Sequence, residues 1–248
     1  MKLNKITALW YLSKINLKNR YRNSFLGPIW ITISSAFFII TISYLSGYIS
    51  KINMDQKLMY IGAGYIFWSY IQYVISKSLY VYEENETLIK EFPISIMFYI
   101  NKLTITSLLI FTHNLFLLIV LMFYTNSFNI NIIYFLISFG LMIIVAFLLS
   151  LIISILSTKY KDIKPMVENA LFIIFVITPI IWPANIIEKN IIFELNIFYH
   201  LIEAIRHSIM YGTLKIDSIL HSLIFIIILT PIATFIFQKN KNKIVFLI

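Results

Sequence analysis

The residues able to do chemistry in this chain are few, and they form no pattern of a nucleotide or nucleophile site. A phosphate-binding loop ends in Gly-Lys followed by Ser or Thr, and none of the six glycines is followed by lysine. The chain has no cysteine, and no serine lies in a glycine-flanked nucleophile elbow. Neither ATP hydrolysis nor nucleophilic catalysis is therefore predicted for this chain.

Histidines are the other groups that could carry protons or bind metal. His113, beside Asn114 in a long apolar run, is a candidate proton relay. The alternative is a neutral histidine that makes an interhelical hydrogen bond. His200 and His207 lie two helical turns apart, but no thiol or carboxylate triad accompanies them, so no metal site is predicted.

Composition places these residues in a membrane. The 248 residues are 60% hydrophobic and only 12% charged, whereas a soluble domain is about a quarter charged. A soluble enzyme is thereby excluded. The 17% aromatic content also excludes a disordered chain.

Six continuous apolar runs are long enough to cross a bilayer, which takes about 20 helical residues. They lack the alternation of barrel strands, so the predicted fold is an all-α integral membrane protein. The predicted spans lie near residues 25–49, 58–82, 99–124, 131–157, 165–184 and 218–238.

The lysines and arginines set the orientation of these spans. Most of them lie at the two termini and in the second and fourth connectors, which places both termini in the cytoplasm. The net charge of +9 is then a topology signal that requires no nucleic-acid partner. Residues 1–22 are predicted to form an amphipathic helix in the membrane interface, with a loosely ordered basic leader as the alternative.

Residues 185–211 are apolar but are interrupted by Glu188, Glu194, Glu203 and Arg206. A full span here would move the C-terminal lysines to the external side. Two short re-entrant helices on the external side are therefore predicted between spans five and six.

Aromatic and small polar side chains recur at spacings of three and four in spans one, two and five, so they share helical faces. Such faces suit a glycan conduit, because sugar rings stack on aromatic rings and their hydroxyls bind polar groups. Ordinary interfacial belts and packing are the alternative. The predicted conduit residues are Trp30, Ser34, Phe37, Thr41, Tyr44, Tyr48, Tyr65, Trp68, Gln72, Phe172, Phe175 and Trp182.

The connector 83–97 places Leu88, Ile89 and Phe92 among four carboxylates. A short helix with an apolar knob is predicted, and a cytoplasmic partner could bind such a knob in a groove. A solvated turn whose apolar residues rest on the membrane interface is the alternative.

Four runs resemble the membrane subunit of ABC-2 type polysaccharide exporters, which move O-antigen, capsule or teichoic acid polymers across the bacterial inner membrane. The resemblance covers nearly the whole chain. The runs are RYRNSFLGPIWITIS (20–34), ENETLIKEFP (84–93), STKYKDIKPMVENALFIIFVITPIIWP (157–183) and NIFYHLIEAIRHSIMYG (196–212).

The resemblance implies a homodimeric permease that works with two copies of a separate ATPase. The ATPase would bind ATP and Mg, and this chain would bind no cofactor. The implied substrate is an undecaprenyl-pyrophosphate-linked glycan. Pro28 after Gly27 is a variant associated more with O-antigen export, and hence with lipopolysaccharide biosynthesis, than with teichoic acid export.

The resemblance also implies roles for particular residues. Arg20 and Arg22 would meet the pyrophosphate of the lipid-linked substrate, and the connector 83–97 would be a coupling loop that docks on the ATPase. Glu203 and Arg206 would lie in the external gate, with a local salt bridge as the alternative. Two other functions remain open, namely an ABC-2 permease for a drug or lipid and a membrane-embedded acyl or glycosyl transferase.

Overall fold

The computed structural model describes residues 5–20, 22, 24, 25, 27, 29–50, 54–92, 94–183 and 191–248. The described backbone is helical and contains no strand. A 3-10 turn over Glu83–Asn85 joins the third and fourth α-helices. The helices are α1 (Lys5–Arg20), α2 (Ile29–Ser50), α3 (Met54–Ser78), α4 (Glu86–Glu91), α5 (Ile96–Tyr124), α6 (Ile132–Lys159), α7 (Ile163–Ile177), α8 (Ile191–Glu194), α9 (Ile197–Met210), α10 (Ile216–Asn240) and α11 (Ile244–Leu247).

Within the described residues, four helices are long and apolar enough to cross a membrane: α2, α5, α6 and α10. They confirm the prediction of an all-α membrane protein. With its 25 residues, α3 is long enough to span, but it carries Asp55, Lys57 and Lys77. With 15 residues, α7 is about 22 Å long, which is less than the hydrocarbon thickness. The count of six spans therefore stays a prediction.

The central helix of the structure is α3, which contacts α2, α5, α6, α7 and α9. Its apolar residues are buried on all sides, as expected for a helix enclosed by others. Phe67 shows the packing, since its ring lies 5.3 Å from that of Phe111 on α5 and 5.9 Å from those of Phe135 and Phe139 on α6. The helices around α3 therefore share one hydrophobic core.

The predicted span at 165–184 corresponds to α7, which stops at Ile177. Thr178 is extended (ψ 131°), because the residue before a proline is disfavoured in the helical region and Pro179 follows. The side chain of Asn196 caps α9 and also donates to Thr178 Oγ1 over 2.9 Å. The end of α7 is thus tied to the start of α9.

The predicted interface helix at 1–22 corresponds to α1, which packs on α5. Ser13 is buried and its hydroxyl donates to the carbonyl of Lys102 over 3.3 Å. On the open side, Lys14 lies 5.1 Å from the centre of the half-exposed Trp10 ring. An exposed aromatic ring beside lysine is typical of a helix at a membrane surface.

Candidate functional site

Arg206 on α9 is the centre of a buried polar cluster, with only 1% of its surface exposed. Its Nη1 donates to Glu203 Oε2 over 2.7 Å, and its Nη2 donates to the carbonyl of Pro179 over 3.1 Å. The guanidinium carbon lies 3.6 Å from the centre of the Tyr60 ring on α3. One arginine therefore holds α9, α3 and the segment after α7 together.

Glu203 also contacts two residues other than Arg206. Its Oε1 lies 3.3 Å from Lys215 Nζ and 3.5 Å from His207 Nε2. Burial alone would raise the pKa of Glu203, but the His207 hydrogen bond and the positive charges of Arg206 and Lys215 lower it to about 2. The carboxylate is therefore ionised at every physiological pH, and its bond to Arg206 is an ion pair.

The close packing around Arg206 depends on Gly64 of α3. A Cβ atom added at Gly64 would lie 2.5 Å from Arg206 Nη2, closer than atoms can approach. One turn earlier, Tyr60 donates its hydroxyl toward the carbonyls of Pro179 (3.3 Å) and Trp182 (3.4 Å). The spacing of Glu203 and Arg206 allowed their pairing to be predicted from the sequence. The contacts of Gly64 and Tyr60 with Arg206 could not be predicted, because these residues are far from Arg206 in the chain.

The predicted conduit residues of α2 form one exposed face, comprising Trp30, Ser34, Phe37, Thr41 and Tyr44. The opposite face of α2, with Ser35, Ile39 and Ser43, is buried. Phe37 is the most exposed of the aromatic residues in this face, at 74%. The predicted Tyr48 lies outside the described side chains. An uncovered face on a spanning helix is suited to contact lipid, a second subunit or a substrate.

Three other predicted conduit residues, Tyr65, Trp68 and Phe175, pack together. Trp68 is 1% exposed, and its ring lies 5.6 Å from Phe175 and 5.7 Å from Phe198. Tyr65 stacks on Phe38 at 4.1 Å. These side chains connect α2, α3, α7 and α9. Within one subunit, Trp68 is therefore a packing residue between helices and does not face an open conduit. The sequence missed Phe38, which follows the exposed Phe37 directly.

The remaining predicted conduit residues have mixed environments. Phe172 on α7 is 69% exposed, and Gln72 on α3 is also exposed. Trp182 is half-buried, with its indole N–H donating to the carbonyl of Val176 over 3.2 Å. The helices α2 and α7 therefore present open aromatic surfaces, while α3 lies mostly behind them.

The predicted coupling loop folds as the 3-10 turn followed by α4. Ile89 is buried (5% exposed), Leu88 packs on the core, and Phe92 is half-exposed. The knob predicted from sequence is therefore reduced to Phe92, because α4 turns its other two apolar residues toward the protein.

Side chains of this 3-10 turn form ion pairs with α3 and α7. Glu84 pairs with Lys77 of α3 at 3.1 Å, and Glu83 pairs with Lys164 of α7. Beside them, the Tyr80 hydroxyl donates to Glu168 of α7 over 2.9 Å. A force applied to the turn would therefore reach α7 directly.

The basic residues of the first connector are only partly described. Arg22 is exposed, whereas the side chain of Arg20 lies outside the described residues. Exposure at this position leaves Arg22 available to an anion.

The histidines form hydrogen bonds of ordinary structural kinds. The Nδ1 atom of His113 lies 3.3 Å from the carbonyl of Ile110 in its own helix, while Asn114 donates to Ser69 of α3 over 3.1 Å. His200 stacks on His221 at 4.1 Å, and its Nε2 lies 2.9 Å from the carbonyl of Glu194. These contacts favour the structural alternative for His113.

Comparison with known proteins identifies the family of this chain. Residues 7–210 match the family model of the ABC-2 type transporter, and the chain belongs to that family. Membership makes it a membrane transport subunit and implies an ATPase partner. The chain is 24% identical over 234 residues to the O-antigen export system permease protein RfbA of Klebsiella pneumoniae, covering 92% of this chain and 90% of that protein. The resemblance inferred from the four sequence runs is thereby confirmed.

Proposed function

We propose that this chain is the permease subunit of a transporter that exports a lipid-linked polysaccharide, O-antigen in particular, from the cytoplasm to the periplasm. The observation that carries this proposal is the similarity to an O-antigen export permease along 92% of the chain. The exposed aromatic and hydroxyl face of α2 adds chemical support, because sugar rings bind such surfaces.

The proposed topology has six spans in the bacterial inner membrane, with both termini in the cytoplasm. Here α3 is the second span, and α7 with the segment after it is the fifth. The external re-entrant pair comprises α8 and α9. Their shortness supports this, since α9 has 14 residues and α8 has four, too few to cross.

The proposed conduit lies between two copies of the chain. One subunit leaves the aromatic surfaces of α2 and α7 open, and a second copy related by two-fold symmetry would enclose them. Phe37, Tyr44 and Phe172 are the residues on these surfaces that would contact the polymer. Arg206 and Glu203 would hold the external gate in shape through the buried ion pair.

The proposed source of energy is a pair of ATPase chains that bind ATP and Mg. Phe92 would dock on the ATPase, supported from behind by Leu88 and Ile89. Motion of the turn would pass to α7 through the pairs Glu83–Lys164 and Tyr80–Glu168. Arg20 and Arg22 would hold the pyrophosphate of the substrate at the cytoplasmic entrance.

A complementation experiment tests this proposal. Cells that lack the chain should accumulate lipid-linked polymer in the cytoplasm and lose surface polysaccharide, and the wild-type chain should restore both. Phe92→Asp should restore neither and should copurify poorly with the ATPase. Thr87→Asp is the matched control, since it adds the same charge at an exposed position of α4. Restored drug resistance or lipid transport without any change in surface polysaccharide would support a different ABC-2 substrate.

A further inference from the structure

A cavity of about 340 Å³ lies between α1, α3, α5 and the 3-10 turn. It is lined mostly by polar side chains, and its volume falls within the range of small-molecule sites. Lys77 lines it from the last turn of α3 and Lys102 from the second turn of α5, which puts it at the predicted cytoplasmic end of the bundle. Phosphate groups of the inner leaflet lie at this level of a membrane.

Lys102 is a buried cation in the wall of this cavity, with 5% of its surface exposed. Its ammonium donates to Asn85 Oδ1 over 2.8 Å, and Asn85 is fixed by its own bond to the carbonyl of Val81. Among the described residues, no carboxylate lies within ion-pair distance of Lys102. A buried ammonium with one neutral hydrogen-bond partner is costly, and the charge of Glu84 offsets only part of that cost.

Tyr99 lines the same cavity one turn before Lys102 and is 1% exposed. Within the described part of the chain, its hydroxyl has no hydrogen-bond partner. Buried hydroxyls in proteins are nearly always bonded. In the part of the chain that the structure describes, a buried hydroxyl without a partner and a buried ammonium without an ion pair therefore line the same cavity.

The other charges at the cavity are Lys77 and Glu84, which pair with each other at 3.1 Å. Glu84 is 53% exposed, so solvent screens its repulsion of an anion more than it screens the buried Lys102. The lining therefore carries two lysines against one carboxylate. The cavity is electropositive where it is most buried.

We infer that this cavity binds a phosphate group, with Lys102 as the main cationic partner, Lys77 as the second and the Tyr99 hydroxyl as a hydrogen-bond donor. Two sources could supply this group, namely the headgroup of an anionic membrane lipid and a soluble phosphate. The inference does not depend on which substrate the permease exports. A phosphate held by these three groups would bridge α3 and α5.

The test uses the purified full-length chain and has two arms. In the first arm, the thermal unfolding midpoint is measured in detergent with added phosphatidylglycerol, and diacylglycerol serves as the phosphate-free control. In the second arm, inorganic phosphate replaces chloride at equal ionic strength. Stabilisation by phosphatidylglycerol alone identifies a lipid headgroup, and stabilisation by inorganic phosphate as well identifies a soluble source.

Variants locate the binding in this cavity. Tyr99→Phe removes a hydroxyl that bonds nothing, so the chain should fold and bind phosphate at least tenfold more weakly, as expected for one lost bond to a charged group. Tyr82→Phe is the matched control, because Tyr82 is equally buried and does not line the cavity. Lys102→Gln should abolish binding. Absence of stabilisation in both arms, or equal binding by the Tyr99 and Tyr82 variants, would overturn the inference.

Discussion

Two ion pairs near the opposite ends of α3 differ in burial, and the difference separates a pair that holds helices together from a pair that stays accessible. Arg206 and Glu203 are 1% and 10% exposed and bind each other, and Arg206 also contacts α3 and the segment after α7. Past the other end of α3, Lys90 and Glu86 of α4 pair while 47% and 49% exposed. Removing one partner of a buried pair leaves an uncompensated charge and is costly, whereas an exposed pair contributes little to stability and stays accessible.

The largest predicted effect is at the buried cluster around Arg206. Arg206→Met should lower stability by about 3–5 kcal/mol, because it leaves the ionised Glu203 buried without its main partner. The measurement is thermal unfolding of the purified chain. Lys90→Met, which breaks an exposed pair, is the control. Equal midpoints for the two variants would contradict the distinction drawn between the ends.

The second prediction extends the comparison to the aromatic residues of α3 and α2. Trp68→Ala should cost about 3 kcal/mol, because it leaves a cavity between α3, α7 and α9. Phe37→Ala should leave stability and protein level unchanged and reduce polymer export. Export is measured as surface polysaccharide per unit of permease. If both variants lost stability alone, the exposed face of α2 would be a packing surface.

The third prediction concerns two neighbours in the coupling turn. Ile89→Ala should destabilise the chain by about 2 kcal/mol, since Ile89 is buried. Phe92→Ala should change stability by less than about 0.5 kcal/mol and weaken copurification with the ATPase, since half of Phe92 is exposed. The reverse assignment of effects would show that α4 docks by a different face.

The smallest effect is expected at the exposed ion pair of α4. Lys90→Gln should change stability by about 0.5 kcal/mol or less, which is typical of an exposed i, i+4 pair. Its effect on ATPase binding should decrease as salt is raised, because exposed charges are screened. A salt-independent effect would indicate that Lys90 is buried in the complex.

The all-helical membrane architecture could be predicted from the sequence, because long apolar runs are local signals. The four helices that could span were all among the predicted spans. The helix α7 ends at Ile177, inside the predicted span 165–184, and Pro179 carries the sequence signal for that end. A span assigned from length and hydropathy alone takes no account of that proline.

The site was harder to predict, because contacts between helices that are distant in the chain produce no periodic pattern in the sequence. The exposed face of α2 followed from spacing, and the pairing of Glu203 with Arg206 followed from their distance of one turn. The burial of Trp68 did not follow, since a helix surrounded on all sides has no face that spacing can identify as open. Tyr60 and Gly64 reach Arg206 from another helix, which no single run of sequence reveals.

ATP-driven transport in a reconstituted system tests the central claim most directly. The chain and its ATPase are placed in proteoliposomes, lipid-linked O-antigen is added to the outer face, and the polymer protected from an external glycosidase is measured. We expect ATP to increase the protected polymer, and we expect Phe92→Asp to abolish the increase while Thr87→Asp preserves it. An ATPase activity that drug or lipid stimulates while no polymer becomes protected would contradict the assignment to polysaccharide export.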